Sequence, residues 1–131
     1  MKLQPIGHVE SPLTDRSVAP KQPDEGAPEA LLVFAPEYAR AMRELEAGQD
    51  VLVLTWLDRA DRSVLAVHPR SEEARPETGV FSTRSPDRPN PIGLHHVRIT
   101  AVDGLKIRVA HLEAIDGTPI VDVKPVLGPE R

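Results

Sequence analysis

Proline constrains this chain more than any other residue. Fourteen of its 131 residues are proline, roughly twice the usual share, and they are clustered. Pro12, Pro20, Pro23 and Pro28 fall in one stretch, and Pro69, Pro76, Pro86, Pro89 and Pro91 in a second. Pro119, Pro125 and Pro129 mark the tail. Each proline fixes φ and removes a donor, so the clusters predict pre-shaped loops between short regular elements.

The intervals between the clusters read mostly as strands. Residues 6–10 and 31–34 are short and β-capable. Residues 50–58, DVLVLTWLD, are nearly all apolar, which predicts a strand buried on both faces, and residues 63–68 look like its partner. Residues 96–112 predict a hairpin. In it Val97, Ile99 and Ala101 alternate with polar residues, Asp103-Gly104 turns the chain, and Leu105, Ile107 and Val109 alternate in return. One principal helix is expected over residues 36–47, opened by Pro36 and stopped by Gly48, with Tyr38, Met42 and Leu45 facing the core. Strands that follow one another without intervening helices predict a mainly β fold. The expected form is a single antiparallel β-barrel over residues 1–131 with the helix packed outside.

Composition removes whole classes of function. There is no cysteine, so disulfides, thiolate metal sites and cysteine nucleophiles are excluded. The eight glycines are spread along the chain, so no GxGxxG or P-loop exists and any nucleotide-like ligand lies outside a Rossmann crevice. His95 and His96 point to opposite faces of a strand and cannot share a metal. His111 and Glu113 share a face in this reading, but two ligands do not complete a site, and no metal is expected. Ser82 and Ser85 sit in no nucleophile elbow. No apolar run is long enough for a membrane span, and the N-terminus carries no apolar signal region, which makes the cytoplasm the expected compartment. A net charge of −4 argues against indiscriminate nucleic-acid binding while leaving room for a local basic site.

Two stretches carry chemistry. In GVFSTRSPDRPNPIGL, residues 79–94, Arg84 and Arg88 flank a Ser-Pro-Asp turn and Pro89-Asn90-Pro91 extends the backbone. Two guanidiniums and an amide on a stiff loop suit a planar anion or a base edge; the alternative is a surface turn with solvated arginines. In IDGTPIVDVKP, residues 115–125, Asp116-Gly117 is a turn in which Thr118 can bond. Asp116 or Asp122 offers a proton acceptor and Lys124 a phosphate contact, the alternative being a hairpin turn followed by an edge strand. APKQP (residues 19–23) and LAVHPR (residues 65–70) complete the set.

Together these segments resemble the signatures of the TsaA-like (TrmO, YaeB) methyltransferases, from Ile6-Gly7 to Pro125. The RSPDRPNPIG string is the most specific part. The resemblance implies a β-barrel enzyme that binds S-adenosylmethionine outside a Rossmann fold, usually as a homodimer. It implies methylation of N6 of threonylcarbamoyladenosine next to the anticodon of tRNA. Its cofactor contacts fall on Pro20, Lys21, Gln22, His68, Pro69, Arg84, Leu94 and the backbone of Ala114, Ile115, Asp116 and Gly117. Arg88, Asn90 and Lys124 are assigned to the substrate side, and Asp116 or Asp122 to the departing N6 proton.

Three departures stand out. The family often has serine where His95 stands and tyrosine where Val126 stands, and longer bacterial members carry an additional C-terminal domain. A second reading is a non-catalytic β-barrel module that binds S-adenosylmethionine or RNA as a sensor or adaptor. The chemistry fits the residues: methyl transfer from a sulfonium is an in-line displacement that needs no metal, only an acceptor nitrogen held ~3 Å from the methyl carbon. The cations available to RNA are Arg88, Arg98, Lys106, Arg108 and Lys124.

Overall fold

The structure, a computed structural model, describes residues 1–14, 28–68 and 76–128. Eight strands follow in order: β1 (Gly7–Glu10), β2 (Ala30–Phe34), β3 (Asp50–Trp56), β4 (Ala66–Val67), β5 (Thr78–Gly79), β6 (Ile92–Asp103), β7 (Lys106–Ala110) and β8 (Pro119–Pro125). Six of them hydrogen-bond into a closed ring, β1-β2-β7-β6-β3-β8, in which every neighbouring pair is antiparallel. The mainly β, non-Rossmann architecture expected from the sequence is what forms.

Inward positions follow the two-residue period of a strand. Val51, Val53 and Thr55 of β3 are buried, as are Val97 and Ile99 of β6 and Ile107 and Val109 of β7. They meet Val9, Leu32 and Ile120 in one core. Each fully buried Val, Leu or Ile contributes about 1.5–3 kcal/mol relative to exposure, and β-branched side chains suit the pleat. Outward residues of β3 are only half-buried, so that strand is covered fully on one face and not on both.

Three expectations are corrected. The residue 63–68 segment does not pair with β3: its β4 pairs with β5 in a separate two-stranded sheet. β3 is instead flanked by β6 and β8, because ring closure brings it two longer partners. The helix expected over residues 36–47 is a 3-10 helix at Pro36–Met42. Its chain turns extended at Arg43 (ψ 148°) and left-handed at Glu44 (φ 72°), which stops a longer helix while Met42 enters the core. Finally, Ala101 points outward. A register shift between Ile99 and Ala101 makes Thr100 a bulge, and the extra residue inverts the alternation beyond it. The Asp103-Gly104 turn forms as expected, with Asp103 paired to Lys106 and Gly104 at φ 59°.

The strand directions give the ring two unlike mouths. At one, the 3-10 helix runs from the end of β2 toward the start of β3. At the other, β3 and β6 run on to Trp56 and Ile92, while β7 stops at Ala110 opposite Arg98. Residues 111–118 lead from β7 into β8. β8 is not an edge strand, since it pairs with both β1 and β3. Among the described residues no helix is long and apolar enough to cross a membrane.

Candidate functional site: a cavity at one mouth of the ring

A cavity of about 170 Å³ opens at this second mouth. Its wall comes from the segment after β3 (Leu57, Asp58, Arg59, Ala60), from the proline loop (Arg84, Ser85, Pro86, Arg88) and from the start of β6 (Ile92, Gly93, Leu94, His95). Glu113, Ala114, Ile115 and Thr118 close it. The composite is mostly apolar with a few polar groups at fixed places, as small-molecule sites are.

The proline loop is held from inside by Arg88. Its guanidinium donates to the carbonyls of Thr83 (3.0 Å), Ser85 (2.9 Å) and Val80 (2.8 Å). Three of its five N–H donors are therefore spent on the loop's own backbone. Arg62 latches the same loop to β3. It donates to the Pro89 carbonyl (2.7 Å) and to Asn90 Oδ1 (2.9 Å), and its guanidinium carbon lies 5.2 Å from the centre of the Trp56 ring. Arg84 is exposed at the cavity, and among the described residues nothing pairs with its guanidinium.

The turn at residues 115–118 forms as the sequence predicts. Thr118 N–H and Oγ1 both donate to the Ile115 carbonyl, at 3.1 and 2.6 Å, and Gly117 takes φ 84°. Asp116 Oδ1 accepts the Ser11 N–H at 2.9 Å, and Gly117 N–H donates to the Val9 carbonyl. The turn is thus stitched to the chain that leaves β1.

A polar chain at the cavity wall has no counterpart in the sequence reading. Thr55 Oγ1 lies 2.7 Å from His95 Nε2, and His95 Nδ1 lies 2.5 Å from Glu113 Oε1. His95 is 4% exposed and the Glu113 side chain 11%. With Thr55 donating to Nε2 and Nδ1–H donating to the carboxylate, both ring nitrogens of His95 are satisfied. Among the described residues Glu113 Oε2 is buried without a partner, which costs about 1–3 kcal/mol or more for a charged group. Glu113 therefore meets His95, while His111 lies exposed at φ 59°. One signal in the sequence pointed here: Thr55 interrupts an apolar strand at an inward position, and His95 shares its inward phase with Val97 and Ile99.

Of the residues assigned to the cofactor, Arg84, Leu94, Ala114 and Ile115 line the cavity. Asp116 and Gly117 follow directly in the chain but do not line it, and His68 lies exposed just beyond β4. Pro20, Lys21, Gln22 and Pro69 fall outside the described residues. On the substrate side, Arg88 lines the cavity but chiefly shapes the loop, and Asn90 gives its carbonyl to Arg62. Lys124 sits near the far end of β8 in an ion pair with Asp122 (3.2 Å). Asp122 and Lys124 are thus not brought to the cavity.

Fold and site together define a small antiparallel β protein with a cavity at one mouth of a strand ring, outside any dinucleotide-binding crevice. The chain belongs to the family described as the tRNA-methyltransferase O N-terminal domain, whose model matches residues 8–128. It is 43% identical over 125 residues to a probable S-adenosyl-L-methionine-binding protein of Methanothermobacter thermautotrophicus, covering 95% of this chain and 89% of that one. An S-adenosyl-L-methionine-binding protein of Archaeoglobus fulgidus is 41% identical, with 95% and 88% covered. The crystal structure of TrmO from Pseudomonas aeruginosa is similar with a TM-score of 0.76 at 28% identity, covering 97% of this chain and 56% of that one. The chain therefore spans about half the length of the TrmO chain it matches.

Proposed function

We propose that this protein is an S-adenosylmethionine-dependent methyltransferase acting on N6 of threonylcarbamoyladenosine next to the anticodon of tRNA. The observation that carries the reading is the convergence of Arg84, Leu94, Ala114 and Ile115 on one cavity, in a chain of the tRNA-methyltransferase O family. The apolar walls suit the adenosyl and thioether parts of the cofactor, and the exposed Arg84 guanidinium suits a carboxylate.

In the reaction the N6 lone pair displaces the sulfonium, the methyl group passes to nitrogen, and S-adenosylhomocysteine leaves. The N6 proton goes to a base. Of the two aspartates considered, Asp116 adjoins the cavity-lining Ile115 and is the proposed acceptor; Asp122 lies away from the cavity. The protein's contribution is positional: a closed β-barrel holds one mouth rigid, and the Arg88-organised loop holds Arg84 over it. We take residues 1–131 as one domain acting in the cytoplasm as a homodimer.

The names of the relatives favour a second reading. Those that match along most of their own length are called S-adenosyl-L-methionine-binding proteins, which fits a module that binds the cofactor without transferring its methyl group. Incubation with S-adenosylmethionine and bulk tRNA, followed by nucleoside mass spectrometry, separates the two. Conversion of threonylcarbamoyladenosine to a product one methyl heavier supports the enzyme. An unchanged nucleoside profile with cofactor bound supports the module.

A further inference from the structure

The Thr55–His95–Glu113 chain ends in an acceptor that, among the described residues, has nothing to accept from. Glu113 lines the cavity; its Oε1 is held by His95, and its buried Oε2 has no partner among the described residues. A carboxylate accepts only, so the group that completes the chain must be a donor brought by the ligand. Leu57, Pro86, Ile92 and Ile115 contribute apolar wall to the same cavity, and apolar walls suit the faces of a flat heterocycle. With Oε1 already bonded to His95, Oε2 is the oxygen left for a donor of the ligand. Thr55 fixes the imidazole from the other side, which sets the direction of the carboxylate before any ligand arrives. Arg84 stands exposed at the cavity for the anionic end of the same molecule.

We propose that Glu113, oriented by His95 and Thr55, is a specificity-determining residue that reads the exocyclic amine of an adenine ring through Oε2. A ring with a carbonyl in place of that amine would bring two acceptors face to face, so the site selects the 6-amino form against the 6-oxo form. This rests on the S-adenosylmethionine reading above and adds to it the contact that recognises the base.

The test is calorimetric titration of S-adenosylhomocysteine, its 6-oxo (inosyl) analogue and its 2′-deoxy analogue into the wild-type protein and Glu113→Gln. The wild type should bind the 6-amino form at least about tenfold more tightly than the 6-oxo form, since a site built around an N–H rejects its absence strongly. Glu113→Gln can turn its amide NH2 toward a carbonyl, and should shrink that ratio to about threefold or less. The wild-type comparison needs no variant and stands even where Glu113→Gln fails to fold. Equal binding of the two forms by the wild type overturns the proposal. So does discrimination that survives in Glu113→Gln, or a loss seen with the 2′-deoxy form alone, which would move the donor to the ribose. If the wild type binds none of the three, the S-adenosylmethionine reading itself falls, and the inference falls with it.

Discussion

Gly93 stands opposite Thr55 across the β3–β6 pair, and a methyl group on it would lie 2.7 Å from His95 Nε2 and closer still to Thr55 Oγ1. The buried polar chain is therefore built around a missing side chain. Gly93→Ala should push Thr55 and His95 apart and destabilise the protein by about 1–3 kcal/mol, as overpacking does. Gly79→Ala is the matched control. Among the described residues nothing lies within 4 Å of the added carbon there, and the change should stay within ~0.5 kcal/mol. Urea denaturation of the two variants reads the difference.

Arg84 and Arg88 lie four residues apart in one motif but separate into binding and architecture. Arg88→Ala takes the guanidinium donors from the Thr83 and Ser85 carbonyls and one of three donors from the Val80 carbonyl, which Thr83 still bonds. It should cost on the order of 2–3 kcal/mol of stability through lost charge-assisted bonds, seen as a lower melting temperature. Arg84→Ala removes an exposed guanidinium and should leave the melting temperature nearly unchanged. It should weaken S-adenosylmethionine binding by about 1–3 kcal/mol. Calorimetry and thermal unfolding on both variants should give opposite patterns.

Asp50 gives the fold an acid-side dependence. The Arg98 guanidinium, 2.8 Å away, and then His96, 3.0 Å away, hold its carboxyl below the ordinary value of 3.8. A depressed carboxyl stabilises the fold above the unfolded-state value and loses that contribution as pH falls through the folded value. The wild type should therefore exceed Asp50→Asn in urea midpoint by a steady margin above about pH 5, with the gap closing below about pH 4. The pair is solvent-facing, so salt should shrink the margin.

For RNA, the cations split by whether they are already paired. Arg98 is tied to Asp50 and Lys124 to Asp122. Lys106 and Arg108 are exposed on the β6–β7 hairpin, and among the described residues no ion pair holds them. Lys106→Glu and Arg108→Glu should each weaken tRNA binding and flatten the salt dependence by about 0.7–0.9 in log–log slope. Lys124→Ala should do much less. Filter binding across a salt series checks this, and equal losses for all three variants would refute it.

Local chemistry was legible in the sequence; the order of strands around the ring was not. The β6–β7 hairpin and its Asp103-Gly104 turn follow from alternation and turn residues, and the residue 115–118 turn from its Asp-Gly-Thr. The Thr100 bulge was hidden, since one added residue inverts the phase without altering composition. The partners of β3 were hidden too, because the ring joins Thr55 to a residue 40 positions away. Arg84 was readable from its stiff proline loop, whereas the cavity residues Leu94, Ala114 and Ile115 were readable only through motif resemblance. The meeting of Glu113 with His95 was hidden because β7 ends at Ala110, beyond which strand alternation no longer says which way a side chain points.

The account rests on the cavity at the β3–β6 mouth being the cofactor site, and a crystal structure with S-adenosylhomocysteine bound tests that most directly. The account predicts the ligand between Ile92 and Ile115, its adenine amine at Glu113 Oε2 and its carboxylate toward Arg84. Density instead in the open groove beside His8, Val33 and Pro119, with the Glu113 cavity empty, would contradict it.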